Sequence, residues 1–252
     1  MGSDPFIKTG PPSALDMFEA EAEGLREIEA THTIRVPEVY EVGVADGHAF
    51  IKMERLQIGR SNDEIDRMLG EALVAMHFHE KEQHGWHRDN TIGLTPQKNP
   101  WTSDWVEFFR EHRLKFQLDL AAYSGYKGEL QDLGSTLAAN LNVFFDGYEP
   151  MASLLHGDLW SGNHAAMDGR PVIFDPAVYY GDRESDLAMT RLFGGFGRGF
   201  YEAYESAWPL EPGHEARNDL YQLYHVLNHL NLFGNSYLSQ SLGLLRRLVG
   251  KI

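Results

Sequence analysis

Apolar and polar positions follow two rhythms along this chain. Phe6-Ile7-Lys8 reads as a short strand that Gly10-Pro11-Pro12 cannot continue. Met17, Glu21, Leu25 and Ile28 then fall at helical spacing up to Ala30, with Ser13 or Asp16 available as the cap. Thr33 to Val44 and His48 to Glu54 are rich in Val, Ile and Tyr, and Asp46-Gly47 between them is a hairpin turn signal. From Asn62 the period lengthens. Helices are predicted over 62–78, 102–123, 129–145, 200–208 and 216–233. In the second of these, Trp101, Trp105, Phe109, His112, Phe116 and Leu120 make one apolar face, which core packing explains better than a cofactor stripe. The change of character falls at Leu56 to Ser61, where a hinge between two unequal lobes is placed.

Composition narrows the classes. The chain has 252 residues, 42% of them hydrophobic, which suits an ordinary packed core. Its 37 acidic residues against 22 basic ones give a formal charge of -15, so counterion release cannot drive binding to phosphate backbones, and nucleic acid is not an expected partner. The absence of Cys excludes disulfides and thiol chemistry and fits a reducing cytosol. No apolar run reaches the length of a membrane span and the first residues carry no signal-peptide core, so the expected location is cytoplasmic, away from membranes.

The chemistry concentrates between Leu154 and Ala188. Asp168-Gly169 predicts a tight turn that folds HAAMDGRPVIFD back on itself, bringing Asn163, before the first strand, toward Asp175, at the end of the second. An amide oxygen and a carboxylate, completed by water and phosphate oxygens, suit Mg²⁺. Asp158 precedes Asn163 in HGDLWSGN with the spacing of the phosphotransferase loop H-x-D-x-x-x-x-N, in which the Asp accepts a hydroxyl proton. Phosphoryl transfer needs little beyond an oriented nucleophile and cations that spread the charge of the transferring group. Such an enzyme also needs a Lys on an early strand paired with a Glu on the next helix, and Lys8 and Glu21 stand in that order. Ile51 to Leu56 then reads as the strand and hinge whose backbone, at Glu54 and Leu56, would meet the adenine edge. Two other readings stay open: a metal-dependent phosphoesterase using His77, His79, His84 and His87, and a pseudokinase-like binding module.

MFEAEAEGL (Met17 to Leu25), IRVPEVYEVG (Ile34 to Gly43), DNTIGLTPQKN (Asp89 to Asn99), HGDLWSGN (His156 to Asn163) and YGDRESDLA (Tyr180 to Ala188) resemble the signatures of the fructosamine kinase (ketosamine 3-kinase) family. The resemblance runs from Phe6 to the end of the chain. It implies an α+β, bilobal protein-kinase-like (aminoglycoside phosphotransferase-like) fold, with a truncated N-terminal lobe over 1–56 and a mainly helical catalytic and substrate lobe over 57–252. It implies ATP- and Mg²⁺-dependent phosphorylation of the 3-hydroxyl of ketosamines, free or on glycated proteins, in deglycation repair. A related aminoglycoside- or choline-type phosphotransferase is the neighbouring alternative. Asp158 would be the base, Asn163 and Asp175 the metal ligands, Lys8 with Glu21 the nucleotide anchors, and Trp160 and His229 the sugar-side residues. Asp182, Glu184 and Asp186 are expected to brace the catalytic loop, Asp182 alone approaching substrate. Only seven residues precede Lys8, where the family has two further strands and a phosphate-covering loop, so the chain as given is expected to bind ATP poorly.

Overall fold

The computed structural model describes residues 4–252. β1 (Phe6–Gly10) leads through a 3₁₀ turn, Pro12–Ala14, into α1 (Leu15–Glu29). The cap differs from the expected Ser13 or Asp16. Ala14 holds the N-cap position with no side-chain hydrogen bond, because the proline-led turn delivers the chain already coiled. β2 (Val39–Ala45) and β3 (His48–Met53) form a hairpin around Asp46 and Gly47, both at positive φ, and the sheet order is β1-β3-β2, all antiparallel. Lys8 stands opposite Ile51. The extended run is shorter than predicted. Residues 33–38 stay outside this sheet, and Arg35 instead makes an isolated bridge to Val172. Alternate residues of β3, Ala49, Ile51 and Met53, are buried beneath Phe18, Ala22, Leu25 and Ile28 of α1.

α2 (Asp63–His77), capped by the Asn62 side chain on the Ile65 N–H, opens the helical body. β4 (Glu80–Lys81) follows it, and β5 (Asn90–Ile92) and β6 (Thr95–Gln97) make a two-stranded hairpin. The expected single helix over 102–123 is in three parts: α3 (Trp105–Phe109), a π-helical stretch over Arg110–Lys115, and α4 (Phe116–Tyr123). The wider turns rotate the buried face. Arg113, Leu114, Gln117, Leu118 and Ala121 point inward, His112 and Phe116 are only half-buried, and Trp101 lies outside the helix and is exposed. α5 (Glu129–Ala139) likewise stops short of the predicted end, and Leu141–Phe145 continue as 3₁₀ after Asn140.

β7 (Ala152–Leu155) carries the chain into the HGDLWSGN loop. β8 (His164–Met167) and β9 (Arg170–Ile173) pair with His164 opposite Ile173, and the turn between them has Asp168 and Gly169 at positive φ, as a tight hairpin requires. β10 (Tyr179–Gly181) returns beside β7, and β4 completes that sheet. α6 (Glu184–Leu192), α7 (Arg198–Ala207), α8 (His214–Phe233) and α9 (Leu238–Val249) close the body. α6 and α9 are absent from the sequence-based assignment. α6 buries Glu184 and Asp186, and such acids in a helix do not read as a core face until their partners are known.

Candidate functional site

The β8–β9 hairpin performs the step that the spacing suggests. Pairing continues one residue past the strands, the Phe174 N–H donating to the Asn163 carbonyl at 3.0 Å, and this puts Asn163 beside Asp175. The Asn163 amide nitrogen donates to the Asp158 carbonyl at 2.9 Å and to the Asp175 carbonyl at 3.5 Å. Both acceptors are backbone oxygens. Among the described residues the Asn163 Oδ1, on the other side of the amide, accepts no hydrogen bond, which leaves it available to a cation. Asp175 sits at φ 55, in the left-handed region, and its side chain is 48% exposed. An amide oxygen and an accessible carboxylate fit a hard cation that takes its other ligands from water and phosphate. That partial set is consistent with the finding that, among the described residues, no three His, Cys, Asp or Glu side chains gather around one point.

Asp158 lies between this pair and the loop's own frame. Its carboxyl is pushed up to about 7 by burial first and then by the charges of Asp186 and Asp175. The loop is fixed from below. His156 is fully buried and held neutral by that burial; its Nε2–H donates to the Phe174 carbonyl at 3.0 Å, and its Nδ1 accepts the Asp158 N–H at 3.2 Å. A carbonyl can only accept and an N–H only donate, so these two contacts set the tautomer. Asp186 accepts the N–H of His156 at 2.7 Å and that of Gly157 at 2.8 Å. Its carboxylate also meets His77 Nε2 at 3.2 Å, and His77 Nδ1 meets the Tyr204 hydroxyl at 2.7 Å. Burial alone would raise Asp186, but its hydrogen bond to His77 and the nearby imidazoles hold it below the usual carboxylate range. Gly157 has φ 81, and a Cβ there would come within 2.1 Å of the Ala177 carbonyl, so only glycine lets the loop lie this close to the segment that joins β9 to β10.

Lys8 on β1 meets Glu21 on α1. Lys8 Nζ is 2.7 Å from Glu21 Oε1 and 2.6 Å from Asp175 Oδ1. Burial raises the Glu21 carboxyl even against the Lys8 charge, and the two acids outweigh desolvation to raise Lys8. Lys8, Glu21, Asp158, Trp160, Asn163 and Asp175 line one cleft of about 410 Å³. Glu54 and Leu56 lie outside it. Glu54 gives its N–H to the Glu38 carbonyl at 2.8 Å and its carboxylate accepts from the Arg35 guanidinium, while among the described residues the Glu54 carbonyl and the Leu56 N–H have no hydrogen-bond partner.

Trp160 is 37% exposed at the cleft, and its ring meets Phe193 edge-on at 6.2 Å; Phe193 in turn lies 4.7 Å from His229. His229 donates its Nδ1–H to the His225 carbonyl at 2.8 Å, which leaves Nε2 as an acceptor on an imidazole that burial keeps neutral. Asp182 departs from expectation. It is fully buried, accepts the hydroxyls of Tyr148 and Tyr221 and the Glu184 N–H, and does not line the cleft, so the predicted approach to substrate is corrected to a role inside the core. Glu184 is equally internal and binds Arg217 through both carboxylate oxygens, at 2.8 and 2.9 Å. The histidines considered for a metal are dispersed: His77 serves Asp186, His84 lies buried against Trp105, and His87 binds Glu23. Met17, Thr91 and Leu94 also line the cleft, and sequence reasoning gave them no role.

Such a fold and site define a phosphotransferase with an alcohol group as acceptor. The chain belongs to the fructosamine kinase family, whose sequence profile, "Fructosamine kinase", matches residues 2–251. It is 46% identical over 244 residues to a protein named probable ketoamine kinase from Synechocystis, covering 96% of this chain and 82% of that one. It is 45% identical to a chloroplastic protein-ribulosamine 3-kinase of Oryza sativa subsp. indica, covering 95% and 71%. A crystal structure assigned to a fructosamine-3-kinase of Haemophilus somnus superposes with a TM-score of 0.89 at 32% identity, over 97% of this chain and 83% of that one. An ADP-bound aminoglycoside phosphotransferase superposes with a TM-score of 0.62 at 16% identity, over 100% of this chain and 92% of that one, which shows the shared kinase-like fold. No helix among the described residues is long and apolar enough to cross a membrane.

Proposed function

We propose that this chain transfers the γ-phosphoryl group of ATP to the 3-hydroxyl of ketosamines, fructosamine or ribulosamine adducts on small amines or on protein amines, as a step of deglycation repair. The observation that carries the reading is the joint orientation of Asp158, Asn163 and Asp175 in one cleft with Lys8. Asp158 accepts the proton of the attacking hydroxyl as the new O–P bond forms and the bond to the β-phosphate oxygen breaks. Its raised pKa matches a base that works near neutrality. Lys8, oriented by Glu21, holds the nucleotide phosphates. Asn163 Oδ1 and the Asp175 carboxylate would hold Mg²⁺, which supplies positive charge to the transferring group. Trp160 at the cleft, with His229 behind it through Phe193, forms the sugar side, and His229 offers a neutral acceptor nitrogen. The Glu54 carbonyl and Leu56 N–H, unpaired among the described residues, are the backbone pair for the adenine edge.

The names of the relatives support the ketosamine as acceptor, and the geometry supports the transfer. The test is product analysis. With ATP, Mg²⁺ and a fructosamine, phosphorus–carbon coupling in the NMR spectrum of the product is expected to place the phosphate on C3. Phosphate on another hydroxyl, or release of free phosphate from monoesters in the absence of nucleotide, would overturn the assignment.

A further inference from the structure

The β5–β6 hairpin is built with more care than its size explains. The Asn90 side-chain amide donates to the Val178 carbonyl at 2.8 Å, and Gln97 Nε2 donates to the Ala177 carbonyl at 3.1 Å. Gln97 also binds Asn90 Oδ1 at 2.8 Å and accepts the Tyr224 hydroxyl at 2.7 Å. Asn99 joins the same Asn90 oxygen at 2.9 Å and receives Arg113, a fully buried guanidinium, at 2.7 Å. These groups are buried and hydrogen-bonded to one another, the Arg113 Nε alone among them lacking a partner, and the network anchors the base of the hairpin. It hangs from Ala177 and Val178, and the Ala177 N–H donates to the His156 carbonyl at 2.8 Å, so hairpin and catalytic loop share one frame.

What this frame presents is Leu94. At the tip, Gly93 has φ 60 and lies against Leu232, where a Cβ would come to 3.2 Å. Leu94 beside it is 77% exposed, yet it lines the same cleft as Asp158 and Trp160. Thr91 and Met17 line that cleft as well, whereas Glu54 and Leu56 do not, so Leu94 stands at the end of the site where phosphate and acceptor meet and away from the adenine edge. A large apolar side chain carried into a cleft on an anchored hairpin and left uncovered there lacks only an apolar partner. A ketosamine offers one outside its polar sugar, in the alkyl chain of the amine that bears it.

Resting on the ketosamine reading, we propose that Leu94 is a specificity-determining residue that packs against the alkyl chain of the amine carrying the sugar. The protein then selects among ketosamines by the length of that chain, while Trp160 and Asp158 serve the sugar common to all of them. The experiment compares wild type, Leu94→Ala and Leu94→Met on two adducts of one sugar, one on the side-chain amine of lysine and one on glycine. In wild type the lysine adduct is expected to have the higher kcat/KM. Leu94→Ala is expected to lower the lysine-to-glycine ratio about tenfold, as loss of a buried apolar contact does, and Leu94→Met to preserve it. The side chain is exposed, so neither change should disturb folding, and equal melting temperatures check this. A ratio that is the same in all three proteins overturns the assignment of Leu94 alone. Failure of the wild type to phosphorylate either adduct overturns the ketosamine reading and this inference together.

Discussion

Asp158→Asn is expected to lower kcat by on the order of 10²–10⁴, the range that a positioned acid or base supplies, with KM for ATP and for ketosamine changed by less than about threefold. The substitution keeps shape and removes only the capacity to accept the hydroxyl proton. Its effect on stability should run the other way. Burial and the charges of Asp186 and Asp175 disfavour an ionised group at this position, so a neutral amide is expected to melt at the same temperature as wild type or higher. Steady-state kinetics and calorimetry on the same samples separate the two effects. A variant that retains kcat removes Asp158 as the base, and one that loses activity only by unfolding removes the argument from positioning.

The second large effect belongs to a residue that touches no substrate. Asp186→Ala deletes the acceptor shared by the N–H groups of His156 and Gly157 and by His77, and it leaves three buried donors without partners. Breaking a buried charged network in this way costs about 3–5 kcal/mol. For a chain of this size the melting temperature should fall by on the order of 10 °C. Well below that temperature kcat is expected to fall by on the order of tenfold or more, because Asp158 follows two residues after His156 on the loop that Asp186 holds, while KM for ATP changes little. A melting temperature within about two degrees of wild type would show that the loop is anchored elsewhere.

Some of this is legible in the sequence because local chemistry encodes it. Asp46-Gly47 and Asp168-Gly169 are turns that only a few residue pairs make, and both close hairpins at the expected places. The interval from Asp158 to Asn163 fixes a loop, and the hairpin that follows carries Asp175 to it. Lys8 and Glu21 meet because strand and helix are joined by a turn too short to separate them. What the sequence hides is longer range. His77, Tyr204 and Asp186 lie on three helices, and nothing in their spacing announces one network. Asp182 and Asp186 look alike in YGDRESDLA, yet one supports the catalytic loop and the other binds two tyrosines in the core. The π-helical stretch at Arg110–Lys115 is equally silent, since a regular helical pattern predicts a continuous face. Leu94 escapes for the opposite reason, because an exposed leucine in a hairpin has no signature until the cleft beside it is seen.

One profile tests the central claim that Asp158, poised by burial, takes the proton of the acceptor hydroxyl. The pH dependence of kcat/KM for a ketosamine should show an acid limb with a midpoint at about 7, because the carboxylate must be ionised to accept a proton and becomes protonated as pH falls. Below that point the rate constant should drop about tenfold per pH unit, and the limb should be absent from the residual activity of Asp158→Asn. A wild-type profile that stays flat down to pH ~5, or a limb that persists in the Asn variant, would contradict the account.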